Sequence, residues 1–180
     1  YPMALTIPLY SCLPKLIVAG KAENEGQKVH NLREAVLRVS NDSEVFVFVD
    51  SDARPNENWL TNLVAPLRDE KNGCTTGYRW FISDGRNFSS ELLSAWNASI
   101  ASALGANTKS NFCWGGSMAI RRETFDKINM RERWQGTLSD DFAVTQYVMT
   151  RDRLSLKLRL PAGAVEPQVI VTGPQGHVLL

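Results

Sequence analysis

The stretch Val45-Phe46-Val47-Phe48-Val49, followed by Asp50-Ser51-Asp52, decides the fold. Five consecutive apolar residues of high β propensity predict a strand that helices cover on both faces, as in a largely parallel α/β sheet. Carboxylates just past the C-terminal end of such a strand lie where open α/β sheets hold their ligands. Oxygen ligands at this spacing suit Mg²⁺ or Mn²⁺, although the same residue types also favour an ordinary polar turn.

Length and composition are those of an ordinary globular chain. The 180 residues are enough for one domain with its own core, and 43% of them are hydrophobic. Twenty basic residues against nineteen acidic ones give no bulk signal for a nucleic-acid partner. Cys12, Cys74 and Cys113 are odd in number and irregularly spaced, which argues against a disulfide framework or a zinc cluster and fits a reducing compartment. The segment contains no apolar run of membrane-spanning length.

Predicted strands and helices alternate along the chain, which indicates an α/β fold. The hydrophobic patterns predict strands at 16–19, 45–49, 74–82, 118–120 and 154–160. They predict helices at 28–39, from 59 to about 67, and at 88–104, 122–128 and 139–149. The tail, 161–180, carries Gly and Pro at short intervals and receives no firm assignment.

Three groups of residues in order along the chain are candidates for chemistry. The strand-end acids come first, the turn Trp114-Gly115-Gly116-Ser117 second, and Ser139-Asp140-Asp141 at a helix start third. Each has a plain structural alternative: a polar turn, a glycine turn and a helix cap with acids at the positive end of the dipole. His30, on the first predicted helix, is interpreted as a structural or surface histidine.

Four runs in this order resemble the processive and lipid-modifying branch of glycosyltransferase family 2, and within it the ceramide glucosyltransferase-like group, family 21. The runs are Gly-Gln-Lys-Val-His-Asn-Leu at 26–32, Thr-Gly-Tyr-Arg-Trp-Phe at 76–81, Trp114–Ser117 and Ser139–Asp141. The likeness covers about residues 15–160. It implies the GT-A fold of nucleotide-diphospho-sugar transferases, a mixed and mostly parallel sheet with flanking helices. Residues 1–180 would then form a single partial catalytic domain.

The resemblance also implies an activity and its participants. The enzyme would be an inverting, metal-dependent glycosyltransferase that moves a sugar from a UDP-sugar such as UDP-glucose to a lipid hydroxyl such as that of ceramide. The full-length protein would be a multi-pass membrane protein, with this domain at the cytoplasmic face. The cofactor would be Mn²⁺ or Mg²⁺, and no nucleic acid would take part.

Roles are carried over to the matching positions. Asp52 would bind the metal, Asp50 would contact the ribose or sugar, and Asp141 would be the catalytic base. Lys28 and Asn31 would hold the nucleotide. The remaining positions, at the donor sugar and the acceptor, are Gly115, Gly116, Trp114, Asp140 and Trp134. Tryptophans such as Trp114 and Trp134 also commonly serve packing alone.

Two departures from the family pattern support a first alternative. Residues 1–15 carry three prolines and no acid, so the Asp-bearing N-terminal unit that binds the nucleotide base is expected to be missing. The family's Gln/Arg-x-x-Arg-Trp motif should follow Asp141, whereas Arg131-Glu132-Arg133-Trp134 precedes it. An inactive or partial sugar-nucleotide-binding fragment therefore stays open.

A second alternative is a haloacid-dehalogenase-like phosphatase, another α/β enzyme with Asp-x-Asp after an apolar strand. The two acid pairs could serve it, with Lys109 between them. Arg54 argues against this reading, because the phosphatase family prefers Thr or Val at that position.

Overall fold

The computed structural model describes residues 15–51, 53–78, 88–104, 111–150 and 155–158, without the side chains of 100–104, 149–150 and 155–158. The helices of this part are α1 (Gln27–Val36), α2 (Trp59–Val64), α3 (Phe88–Leu104), α4 (Arg122–Lys127), α5 (Met130–Arg133) and α6 (Asp140–Thr150). The strands are β1 (Val45–Val49), β2 (Asn72–Thr76), β3 (Ser117–Arg121) and β4 (Ser155–Leu158). A short 3-10 helix, Ala65–Arg68, follows α2 directly.

The four described strands form one mixed sheet in the order β1-β3-β2-β4. β3 is antiparallel to both of its neighbours, whereas β2 and β4 are parallel. Three strands therefore point the same way, as expected for a mostly parallel sheet, but two of the three pairings are antiparallel because β3 lies between β1 and β2. Val49 at the end of β1 pairs with Ser117 at the start of β3. The end of β1 and the turn before β3 thus meet at one edge of the sheet.

Helices cover both faces of β1, which explains its unbroken apolar sequence. Phe46 and Phe48 enter the main core, and Val45 and Val47 pack on the other side against α2 and the 3-10 helix. The alternation of the pleat sends successive side chains to opposite faces, so both sets must be apolar. The main core draws on all the helices of its face: Val29, Leu32, Phe125, Ile128, Met130, Trp134, Ala143, Val144 and Val148.

Trp134 lies at the centre of this core and is completely buried. Its ring lies 5.5 Å from that of Phe48 and 5.2 Å from that of Phe125, between centroids. Its indole N–H donates to the backbone carbonyl of Asp140 at 3.0 Å. This burial corrects the expectation that Trp134 contacts the acceptor: the side chain instead anchors the start of α6.

Several predicted boundaries change in the structure. Residues 16–19 form no strand beyond an isolated bridge at Leu16, and both Leu16 and Val18 are exposed. The helix predicted from Trp59 tightens into the 3-10 turn where Pro66 removes a backbone donor. α1 ends at Val36 instead of Val39. The strand predicted at 74–82 ends at Thr76, and residues 79–82 lie outside the described part of the chain.

The predicted bounds of α3 are confirmed, but its orientation differs from that of an ordinary amphipathic helix. The stripe of Ser90, Ser94, Asn97 and Ala98 is buried or half-buried. The large apolar side chains are exposed instead: Phe88, Leu92, Leu93 and Trp96. Among its described side chains, α3 therefore presents the large apolar ones outward. Across the described ranges, no helix is both long enough and apolar enough to cross a bilayer.

Candidate active site

A pocket of about 290 Å³ opens at the sheet edge where β1 ends and β3 begins. Most of the residues predicted from sequence line it: Lys28, Asp50, Trp114, Gly115, Gly116 and Asp141. They come from the first turn of α1, the end of β1, the turn before β3 and the first turn of α6. The antiparallel placement of β3 brings the turn and the strand end together, and Asp50 N–H donates to the Gly116 carbonyl at 3.2 Å.

Lys28 joins the two acidic groups of the site. Its ammonium Nζ lies 2.9 Å from Asp50 Oδ1 and 3.4 Å from Asp140 Oδ1. Asp140 is only 4% exposed, and its Oδ2 has no hydrogen-bond partner in the described part of the chain. The Lys28 side chain is 42% exposed, so the ammonium remains accessible to a ligand. One cation therefore holds acids from β1 and α6 within reach of the same ligand.

Burial and pairing shift the pKa values of these groups. Burial raises the pKa of Asp140, and Asp141 adds to that rise, while the positive charge of Lys28 opposes it. For Lys28, burial lowers the pKa, but the charges and hydrogen bonds of Asp140 and Asp50 outweigh it and the pKa is raised overall. Lys28 is therefore charged throughout the physiological range.

The two glycines are needed because carboxylates occupy the space that a side chain would take. A Cβ on Gly115 would lie 2.5 Å from Asp140 Oδ2, and one on Gly116 would overlap the carboxylate of Asp50. Neither position can hold even Ala without displacing an acid of the site. The Gly-Gly pair is thus a packing requirement of the acidic groups, as well as a place where a ligand can approach the backbone.

Hydrogen bonds fix the turn before β3 to its surroundings. Trp114 N–H donates to Thr76 Oγ1 at 2.8 Å, and Gly77 N–H donates to the Ser117 carbonyl at 2.7 Å. On the other side Cys113 N–H donates to Thr145 Oγ1 of α6 at 2.9 Å. The turn is therefore held between β2 and α6, which carries the acids.

Asp141 is oriented through its first carboxylate oxygen. Oδ1 accepts hydrogen bonds from Ser139 Oγ and from Phe142 N–H, the latter at 2.8 Å. Oδ2 accepts only a long contact from Gly115 N–H, at 3.4 Å, among the described residues. One oxygen is thus held and the other is available at the pocket.

Aromatic side chains form one wall of the pocket. Phe112 lies 4.8 Å from Trp114, between ring centroids, and stacks on Phe142 at 6.4 Å. Tyr78 meets Trp114 edge to face at 5.9 Å. Phe142 is 70% exposed, so the wall extends to the mouth of the pocket. An acidic floor beside an aromatic wall suits a ligand that is polar at one end and apolar at the other.

A family model described as glycosyl transferase family 2 matches residues 11–129, well over half of the chain. The chain belongs to glycosyl transferase family 2. The family has the GT-A fold and transfers a sugar from a nucleotide-sugar donor to an acceptor, commonly with a divalent metal. The matched segment contains Lys28, Asp50, Gly115 and Gly116, while Asp140 and Asp141 lie beyond it. None of the curated proteins compared with the chain matched it.

The acids present fit the metal that family 2 enzymes commonly use. Within the described ranges, no three His, Cys, Asp or Glu side chains group as a metal site. A hard cation such as Mg²⁺ usually needs only one or two protein carboxylates, because substrate phosphates supply further ligands. Asp50 offers a partly exposed carboxylate at the pocket, and Asp52, predicted as the metal ligand, lies outside the described residues.

The structure separates Asn31 from the residues at the pocket. Asn31 Oδ1 accepts a hydrogen bond from Gln27 Nε2 at 2.9 Å, and Asn31 does not line the cavity. Its predicted contact with the nucleotide would need a ligand that extends past Lys28 along α1.

Sequence reasoning missed several lining residues of this family 2 site. Phe112 and Phe142 were not singled out, nor was Trp59, whose indole N–H donates to Ser117 Oγ at 2.9 Å. Two aromatic residues just before a Gly-Gly turn, together with a Phe in the first turn of the acid-bearing helix, were the available signal. Hydrophobic periodicity assigns such residues to a core, so the pattern alone could not place them at a pocket.

Proposed function

We propose that this family 2 domain transfers a sugar from a UDP-sugar, such as UDP-glucose, to a lipid hydroxyl such as that of ceramide, with inversion. One observation carries the proposal: Asp50, the Gly115–Gly116 turn and Asp141, far apart in sequence, line one pocket. The choice of UDP-glucose and ceramide comes from the resemblance of four sequence runs to the ceramide glucosyltransferase-like group.

On the acceptor side, Asp141 is proposed as the catalytic base. An acceptor hydroxyl becomes a good nucleophile when a carboxylate removes its proton, which contributes roughly 10²–10⁴-fold in rate. The arrangement of Asp141 supports this role, because Oδ1 is held by Ser139 and Phe142 while Oδ2 faces the pocket. A single base opposite the leaving group gives direct displacement with inversion at the sugar carbon.

On the donor side, Lys28 and Asp50 are proposed to hold the nucleotide sugar, with Asn31 farther along α1. The positive charge of Lys28 would attract the diphosphate, and Asp50 would accept a hydrogen bond from a ribose or sugar hydroxyl. Asp52, beside Asp50, would hold Mn²⁺ or Mg²⁺, which supplies charge neutralisation on the leaving diphosphate. Gly116 lets the donor approach the backbone next to Asp50.

The apolar surface around the base supports a lipid acceptor. Phe142 directly follows Asp141, and both Phe142 and Leu138 are exposed near the start of α6. Together with Phe112 and Trp114 they could contact the apolar part of an acceptor whose hydroxyl reaches Asp141. A lipid acceptor is reached from a membrane surface, which motivates the proposed location of the domain at the cytoplasmic face of a membrane.

Calorimetric titration with UDP, in the presence and absence of Mn²⁺, tests the donor site. We expect the wild type to bind UDP in a Mn²⁺-dependent manner. Asp52→Asn or Asp50→Asn should lower the affinity for UDP by about tenfold or more. Asp42→Asn is the matched control, since Asp42 is exposed in the loop before β1 and bonds only locally to Ser40. Absence of UDP binding by the folded wild type would instead favour the partial-fragment alternative.

Product formation from UDP-glucose and ceramide in detergent tests the acceptor and the base. Asp141→Asn should retain UDP binding and lose roughly 10²–10⁴-fold in turnover. Retained turnover in Asp141→Asn would remove Asp141 from the role of base. UDP binding without transfer to ceramide would leave the donor proposal standing and reject this acceptor.

A further inference from the structure

A cluster at the N-terminal end of α1, outside the pocket, surrounds the carboxylate of Glu25. His30 Nδ1 lies 2.9 Å from Oε1, Arg33 Nη1 donates to the same oxygen at 2.8 Å, and Gly136 N–H donates to Oε2 at 3.1 Å. The Glu25 side chain is only 6% exposed. We call Glu25, His30, Arg33 and the Gly136 amide the Glu25 cluster.

The second ring nitrogen of His30 also faces an acceptor. Nε2 lies 2.9 Å from the backbone carbonyl of Ala19, which can only accept. Glu25 accepts bonds from Arg33 on both oxygens, so it is ionised and can only accept as well. A neutral imidazole has one N–H and can satisfy one of these contacts, whereas an imidazolium satisfies both. The geometry therefore calls for a doubly protonated His30.

The Glu25 cluster is connected to the segment that leads to Asp141. Gly136 binds the Glu25 carboxylate, and Gly26 N–H donates to the Thr137 carbonyl at 2.8 Å. A Cβ on Gly26 would lie 2.6 Å from the Leu138 carbonyl, so the segment 136–138 lies directly on the residues that precede α1. Ser139 and Asp141 follow at once, and Lys28 lies two residues after Gly26.

We propose that Glu25 and His30 are positioning residues for the transfer reaction, holding segment 136–138 against α1 so that Asp141 faces the pocket only while His30 carries both protons. The inference rests on the proposed role of Asp141 as the base. Neither residue touches the pocket, so both act through Gly136 and Gly26.

The charges around His30 set the direction of the pH effect. Glu25 and, farther off, Glu34 favour the imidazolium, and the pKa of His30 is raised by its bonds to Glu25 and Ala19. Arg33 lies across Glu25, and Arg131 of α5 lies beyond it. Arg33 Nε donates to the Arg131 carbonyl at 3.0 Å, and Arg131 Nε donates to the Arg33 carbonyl at 3.3 Å. These two cations oppose the imidazolium but are turned toward Glu25 and backbone carbonyls. Burial raises the pKa of Glu25, yet its bonds to His30, Gly136 and Arg33 outweigh that effect and lower it.

The two pKa shifts determine how stabilisation by the Glu25 cluster changes with pH. A raised histidine pKa gives stabilisation that is complete below the ordinary value of 6.5 and is lost as pH rises through the folded-state pKa. A lowered glutamate pKa gives stabilisation that is complete above the ordinary value of 4.5 and is lost as pH falls through the folded-state pKa. The cluster is therefore most stable between these two ordinary values and weakens as pH rises above 6.5 through the folded-state pKa of His30.

Thermal unfolding as a function of pH is the first test. From about pH 6 to about pH 8.5, the wild type should lose roughly 3 °C more in Tm than His30→Gln, whose neutral amide does not titrate in this range. The chain has two histidines, so His177→Gln is the matched control and should keep the wild-type pH profile. Equal pH profiles for the wild type and His30→Gln would overturn the proposal.

Two further measurements cover the case in which His30→Gln fails to fold. In the wild type, NMR titration should give a His30 pKa above 6.5, with His177→Gln identifying the resonance. At one pH near 6.5, Glu25→Gln should speed amide exchange of the peptide containing 136–138 about tenfold, without a change in the peptide containing β1. An unshifted His30 or unchanged exchange at 136–138 would each reject the cluster.

Kinetics then separate positioning from folding. Glu25→Gln and His30→Gln should lower kcat at about pH 6.5 and leave UDP affinity within about threefold of the wild type, since donor contacts are untouched. The protein could show the expected pH dependence of Tm and the expected amide exchange at 136–138 but transfer no sugar. That result would reject the proposed function and leave the link between the Glu25 cluster and segment 136–138 standing. Normal kcat in both variants would reject the positioning role alone.

Discussion

The ammonium group of Lys28 pairs with two carboxylates, Asp50 after β1 and Asp140 at the start of α6. Asp140 is almost completely buried, and burial has already raised its pKa. Without Lys28 that carboxylate would have no cation among its described neighbours, and its ionised form would become more costly. The contact therefore links the stability of the fold to the charge balance of the site.

We expect Lys28→Met to lower the free energy of unfolding by about 1–2 kcal/mol near neutral pH, a figure kept small because the lysine is 42% exposed. This loss should shrink as pH falls through the raised pKa of Asp140, because the protonated carboxyl no longer needs the cation. Asp140→Asn should restore most of the loss in the double variant, a coupling that urea unfolding of the four proteins measures.

Lys71→Met is the matched control, because Lys71 is exposed and the structure gives its side chain no ion pair. If Lys28→Met loses no more free energy of unfolding than Lys71→Met, then solvent already screens the Lys28–Asp140 pair.

Sequence predicted well those pocket-lining positions that follow from a local pattern. Asp50 and the Gly115–Gly116 turn were found because a strand end and a glycine pair are visible in a few letters. The core position of Trp134 and the contacts of His30 were missed, because each depends on residues far away: Asp140 and Phe48 for the tryptophan, Ala19 and Glu25 for the histidine.

Among the elements, α3 is a helix in which hydrophobic periodicity predicts the bounds correctly but the buried face incorrectly. Its apolar residues recur at helical spacing, so both ends of the helix were predicted. The same spacing predicts an inward apolar face, but the inward stripe consists of Ser90, Ser94, Asn97 and Ala98. The large apolar side chains Leu92, Leu93 and Trp96 lie outside that stripe and are exposed.

Replacing the outward side chains should therefore cost little stability. For Leu92→Gln combined with Trp96→Gln, we expect the free energy of unfolding to stay within about 0.5 kcal/mol of the wild type, because both residues are exposed. Binding of the apolar dye anilinonaphthalene sulfonate should fall, since the exposed patch is its site. Fluorescence titration and urea unfolding measure the two effects.

Leu63→Gln provides the contrast, because Leu63 of α2 is buried in a cluster with Ala119 of β3. This variant should lose about 2–4 kcal/mol of the free energy of unfolding. A double variant of α3 that is as unstable as Leu63→Gln would show that the helix packs its apolar side in solution.

The order of strands in the sheet could not be predicted from the chain. Periodicity identifies β1, β2 and β3 individually, but the insertion of β3 between the other two depends on which faces the helices can cover. That insertion determines the site, because only a reversed β3 places its preceding turn beside Asp50.

On the scale of the whole molecule, the core and the site share Trp134. Its ring packs on Phe48 and Phe125, and its N–H holds the first residue of α6. Trp134→Phe keeps an aromatic ring but removes the hydrogen bond and leaves a void. We expect it to lose about 2–3 kcal/mol of stability by urea unfolding and to weaken kcat more than UDP affinity.

Trp96→Phe is the control of matched chemistry, since Trp96 is exposed on α3 and should change neither quantity. If Trp134→Phe is clearly destabilised but keeps the wild-type kcat, then Trp134 stabilises the core without orienting Asp141.

The placement of β3 also has a consequence for biosynthesis. β1 and β2 do not pair with each other. Both pair with β3, which leaves the ribosome long after β1. Gly26 likewise waits for Thr137 before the start of α1 is fixed. Such distant pairings make assembly slow and leave β1 uncovered on the nascent chain. The pocket is thus among the last parts to form, and a chain released before the turn at 115–116 would hold β1 without the strand that pairs with it and Asp50 without the turn that faces it.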